Sequence, residues 1–177
     1  YSDTELPFQQ EATFWYLFGV PDPGLHGIIE IDTGKTTIVA PKLPAEYKMW
    51  MVIHDKEYLQ QHHNVDQVIY TEDLENYIKS INPASIYLNH GVNSDSGLSP
   101  DLPDFPFLQN YKVDKEILYP IIADVRAHKT QKEIEIMRYM GRISSDGHIR
   151  LMQNCKPGLK ESQLESLYRF HCHNATG

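Results

Sequence analysis

A chain of 177 residues with 24 acidic and 16 basic side chains carries a formal net charge of −8, and 41% of its residues are hydrophobic. That is enough apolar material for a substantial core, and nothing in the composition is that of a disordered chain. The acidic balance, with no basic run and no aromatic-basic stripe, argues against nucleic acid, an anionic membrane or an acidic peptide as partner. The length allows one ordinary domain, or one domain plus the beginning of another. No apolar run approaches membrane-spanning length, and the opening residues Tyr1 to Glu5 look like neither an initiator region nor a signal peptide, so a trimmed N-terminus is expected. Cys155 and Cys172 fall in or beside separate helices and fit buried thiols of a reducing, cytosolic compartment better than a disulfide framework.

Residues 11–20 are rich in aromatics (Phe14, Trp15, Tyr16, Phe18) and read as a strand ended by Gly19 and the turn at Pro21 to Gly24. Residues 27–31 and 36–40 are β-prone runs joined by Asp32, Thr33, Gly34 and Lys35, which predicts a hairpin. Pro41 and Pro44 break the pattern, and the apolar stretch around Trp50 to Ile53 has no clear period. Asp55 is placed to cap a helix reaching His62, and 65–70 reads as a strand. Thr71, with Glu72 and Asp73 behind it, is expected to cap a helix ending at Ile81, and 85–89 is the next strand. Residues 90–110 shift to Gly, Ser, Asn, Asp and Pro and predict a long loop. A short strand at 111–113 and a helix at 115–124 follow. Strands alternating with helices after an opening hairpin argue for an α/β domain, a mixed β-sheet flanked by helices, with its boundary near Val125.

The strongest local signal lies further on. Thr130 and Glu133 stand three apart and form a capping box that opens one long helix from Gln131 to about Gln153. Ile136, Met140, Ile143 and Gly147, with Ile134, Met137 and Ile149 beside them, give a broad apolar stripe that needs something large to pack against. Cys155, Lys156, Pro157 and Gly158 stop this helix, and a second one carries Leu164, Leu167, Tyr168 and His171 on one face.

Several motifs imitate active sites. Asp32-Thr33-Gly34 and Asp95-Ser96-Gly97 have the wording of an aspartic protease pair, whose chemistry requires two carboxylates sharing one proton. Lys35 would set a cation beside that dyad, and Asp95 follows polar residues instead of an apolar strand, so turn chemistry is the reading taken. Gly34-Lys35-Thr36 lacks the upstream glycine of a phosphate loop, since Ile29 stands there. Nine histidines, especially His171-Cys172-His173 and the pair His62-His63, invite a metal reading, but zinc needs ligand pairs converging from two elements, and only one cluster lies near the C-terminus. Asn174, Ala175 and Thr176 form a glycosylation sequon with no secretory signal to give it meaning.

The run Arg126, Ala127, His128, Lys129, Thr130, Gln131, Lys132 and Glu133, continuing to Arg138, resembles the domain junction of the creatinase/aminopeptidase P/prolidase peptidases. Phe18-Gly19-Val20, Pro23-Gly24, Gly27, Asp32 to Lys35, Pro41 and Leu43-Pro44 resemble the prolidase (Xaa-Pro dipeptidase) branch in particular. So do Trp50-Met51, Gly91-Val92-Asn93, Asp95 to Gly97 and Leu164 to Leu167. The resemblance implies a creatinase/prolidase-like N-terminal domain over residues 1–125, and over 126–177 the first two helices of a pita-bread metallopeptidase domain. It implies hydrolysis of X-Pro dipeptides by the full-length protein, using two metal ions, typically manganese, held by two Asp, two Glu and one His beyond Gly177. No catalytic residue and no metal ligand is then expected within this chain, which alone should be inactive. It further implies a homodimer through the N-terminal domains.

Trp50 would reach over the mouth of the partner subunit's active site and limit the substrate to two residues. Its other reading is a tryptophan of the core or of a dimer contact. His26, Asp55 and Asp95 are read as structural. Two other functions stay open at this point: a Xaa-Pro aminopeptidase, and a non-catalytic pita-bread-type module that binds peptides or histones.

Overall fold

A computed structural model describes residues 8–99 and 101–176. The chain divides between Ile122 and Ala123 into two compact units. In the first, helix α1 (Ala12–Phe18) precedes strands β1 (His26–Ile29) and β2 (Thr36–Ala40). Helix α2 (Lys56–His62), strand β3 (Gln67–Tyr70), helix α3 (Leu74–Ile81) and strands β4 (Ile86–Tyr87) and β5 (Val113–Asp114) follow. Helix α4 (Leu118–Ala127) carries the division, and the second unit holds α5 (Gln131–Asn154) and α6 (Glu161–Thr176).

The expected α/β architecture with a mixed sheet is present: β1 pairs antiparallel with β2, and β2 parallel with β3. The sequence reading merged all strands into one sheet, whereas β4 and β5 form a separate parallel pair. The hairpin closes where composition placed it, with the Glu30 amide donating to the Lys35 carbonyl at 2.9 Å and Gly34 in the left-handed region at φ 73°.

Residues 12–18 are a helix, not the strand that their aromatics suggested. The Glu11 carboxylate accepts from the Thr13 and Phe14 amides at 2.9 and 2.7 Å, and Gly19 ends the turn at φ 63°. Phe14 and Phe18 stand one turn apart and tilt together at 5.2 Å, so one helical face supplies the core. Thr71 does not cap a helix either. Its hydroxyl donates to the Ala40 carbonyl at 3.2 Å, and residues Thr71–Asp73 form a tighter turn before α3 begins. A further short turn, Pro106–Asn110, falls within the stretch expected to be loop, and the last strand sits later than expected, at Val113–Asp114.

The period-two alternation of β2 sorts its side chains onto two faces. Ile38 and Ala40 join Phe18, Val20, Leu59, Val65 and Val68 in one cluster, while Val39 joins Ile69, Leu74 and Ile78 in the other. Gly27 marks where α1 presses closest on the sheet: a Cβ there would lie 2.1 Å from the Phe18 ring. On the second face, Thr37 and Tyr77 share a hydrogen bond at 2.8 Å, and Tyr77 donates onward to Glu30 at 2.7 Å. That hydrogen bond holds the Glu30 carboxyl below its ordinary range.

In the second unit the capping box forms as spaced: the Glu133 amide donates to the Thr130 hydroxyl, and the Thr130 amide to the Glu133 carboxylate. The apolar stripe of α5 splits. Ile143 and Gly147 are buried, with Gly147 leaving room for the Tyr168 ring of α6, whose hydroxyl meets Ser144 at 2.8 Å. Ile136, Met137, Met140 and Ile149 are exposed. Cys172 is half-buried, but Cys155 is exposed, contrary to the buried-thiol reading, because it caps the end of α5 at the surface.

Candidate functional site

Pro44 begins a tight turn over Ala45–Met49, whose end is fixed when the Trp50 and Met51 amides both donate to the Tyr47 carbonyl at 3.0 Å. The chain then runs without regular structure to Asp55, whose carboxylate caps α2 by accepting from the Tyr58 amide at 2.8 Å. Trp50 projects from this bridge with 87% of its surface exposed, and Met49 and Val52 beside it are 82% and 74% exposed. Trp50 is therefore not packed into the core of the first unit. An exposed run of four consecutive large apolar residues, Met49 to Val52, is the kind of patch that soluble proteins use for binding.

The next stretch is aromatic too. His54 stacks on Tyr58 with centroids 3.8 Å apart and planes within 10°, and His62 lies parallel on Tyr58 at 5.2 Å. These rings are spaced four residues apart, so His54, just ahead of α2, continues the face on which Tyr58 and His62 stand. Sequence reasoning passed over this ladder because His54 precedes the helix and no motif contains it.

The discounted motifs are turns. The Asp32 to Lys35 segment closes the hairpin, and the Asn93 side chain accepts from the Asp95 and Ser96 amides at 2.9 and 3.0 Å, with Gly97 at φ 70°. His26 packs edge-on against Phe105, and burial lowers its basicity. No group of three or more His, Cys, Asp or Glu among the described residues is placed to hold a metal ion. No helix among them is long and apolar enough to cross a membrane.

Arg126 to Glu133, the stretch read as a domain junction, is built of local caps. The Lys129 ammonium donates to the Arg126 and Ala127 carbonyls at the end of α4, and the Thr130 amide and hydroxyl keep the Glu133 carboxyl below its ordinary range. The Lys129 and Glu133 side chains therefore hold the two helix ends that meet here.

A small mixed sheet between helices, followed by a helical hairpin, is the arrangement of the aminopeptidase P N-terminal region. The aminopeptidase P N-terminal domain family matches residues 1–87. A Xaa-Pro dipeptidase of Pongo abelii is 40% identical over 99% of this chain and 36% of its own length. A probable Xaa-Pro aminopeptidase of Paracoccidioides lutzii is 30% identical over 97% of this chain and 33% of its own. In fold, a zinc-substituted Escherichia coli aminopeptidase P in complex with product superposes with a TM-score of 0.75 at 18% identity, covering 98% of this chain and 42% of that one. The chain thus matches the aminopeptidase P N-terminal domain over residues 1–87 and is similar to Xaa-Pro dipeptidases along nearly its whole length. It spans about a third of the length of the curated relatives it matches.

Proposed function

We propose that this chain is the substrate-restricting part of a Xaa-Pro dipeptidase. The observation that carries this reading is the 40% identity to a Xaa-Pro dipeptidase across nearly the whole chain, against 30% to a probable Xaa-Pro aminopeptidase. An X-Pro bond is a tertiary amide with no N–H, so proteases that grip the backbone amide handle it poorly and a dedicated site is needed. The hydrolytic groups, with the two metal ions, lie in sequence outside residues 1–177. On this reading residues 1–125 form the N-terminal domain, and 126–177 open the catalytic domain.

Trp50 is the residue of this chain that meets substrate. Its exposure, at the end of a turn with fixed backbone, suits a flat apolar side chain that closes a neighbouring subunit's site and leaves room for two residues. This requires a homodimer through the N-terminal domains. In the full-length protein, a Gly-Pro dipeptide should be hydrolysed in the presence of manganese, and an X-Pro-Y tripeptide should not. Trp50→Ala should raise KM or admit longer peptides while metal content stays unchanged. Absence of both activities and of bound metal would replace this reading with a binding role, and an active monomer in sedimentation would remove the action of Trp50 across a dimer.

A further inference from the structure

We propose that His54 is a positioning residue for Trp50, acting through its stack on Tyr58; this rests on Trp50 meeting substrate as described above. The segment that presents Trp50 is held on either side of the indole. Upstream, the Trp50 and Met51 amides share the Tyr47 carbonyl. Downstream, Ile53 is half-buried and the next ring, His54, lies flat on Tyr58 at 3.8 Å, one residue before Asp55 caps α2. Val52 is exposed and Ile53 half-buried, so the downstream end of the bridge is held by the partial burial of Ile53 and by the imidazole stack of His54. Tyr58 is itself 42% exposed, and His62 lies parallel to it further along the helix, so the phenol stands between two rings. Removing His54 lets residues 52–54 swing and with them the indole.

Trp15 and Trp50 are the chain's two tryptophans, so a Trp15→Phe background leaves Trp50 as the sole indole reporter. In that background His54→Ala should lower the fluorescence anisotropy of Trp50, while His54→Phe, which keeps a flat ring, should restore it. In the full-length protein His54→Ala should raise KM for an X-Pro dipeptide by about two- to tenfold, the range that one aromatic stack supports, with kcat nearly unchanged. The same change in a Trp50→Ala background should then do nothing further, since both act through one side chain. Unchanged anisotropy in His54→Ala, or a His54→Ala effect that persists in full without Trp50, overturns the proposal. Unchanged kinetics in Trp50→Ala alone would instead defeat the substrate role of Trp50, and the anisotropy measurement would still decide whether His54 positions it.

Discussion

Burial opposes protonation at His26 and His63. His26 is half-buried against Phe105, and burial lowers its pKa. His63 is lowered by burial first and then by its neighbour His62, whose ring stands edge-on at 4.9 Å. In both cases the folded pKa lies below the unfolded value, so the unfolded chain binds the proton more tightly. The stability they contribute is complete above the ordinary histidine range, about 6.5, and is lost as pH falls through the folded values. Glu30, Asp66, Asp114 and Glu133 are also lowered, chiefly by hydrogen bonds to their carboxylates, and their contribution is lost only at lower pH, below the ordinary carboxylate range. Thermal unfolding should therefore show Tm dropping in two stages on acidification. His26→Phe, which keeps an aromatic edge against Phe105, should flatten the stage between pH 7 and 5. An unaltered first stage in that variant would assign it to other groups.

At the scale of elements, what local chemistry governs was legible in the sequence, and what distant partners govern was not. The α5 capping box is fully local, and both of its reciprocal hydrogen bonds form. Thr130→Ala should cost about 1 kcal/mol of stability, the usual loss at an N-cap, and Thr130→Ser should recover most of it. Urea midpoints for the two variants check this. Asp55 and the 32–35 turn were readable for the same reason. Thr71 was not, because its hydroxyl is claimed by Ala40, a residue 31 positions away that only the fold brings near. Helix α1 was misread because its aromatics favour strands as a class, while its cap is a glutamate, outside the usual N-cap set. The separation of β4 and β5 from the main sheet is a matter of pairing between strands distant in sequence, on which composition is silent. Trp50 was found only through resemblance, and its exposure on the first unit needed the structure.

For the whole molecule, the α5 stripe carries the largest unresolved demand. Ile143 and Gly147 meet α6, but Met140, on the same stripe, is 47% exposed, and Ile136 and Met137 more so. If residues 126–177 open a catalytic domain, those side chains are the inner face of a helix that the rest of that domain covers. Met140→Glu separates this from an ordinary solvated face. In the 177-residue chain the change replaces an exposed side chain and should alter stability by no more than about 0.5 kcal/mol. In the full-length protein it would place a carboxylate in an apolar contact and should cost at least about 2 kcal/mol. Met140→Leu, which keeps the apolar volume, should be tolerated in both. Comparison of urea midpoints in the two lengths gives the answer: equal, small losses would mean that this face stays in water, and the domain assignment of α5 would fall with it.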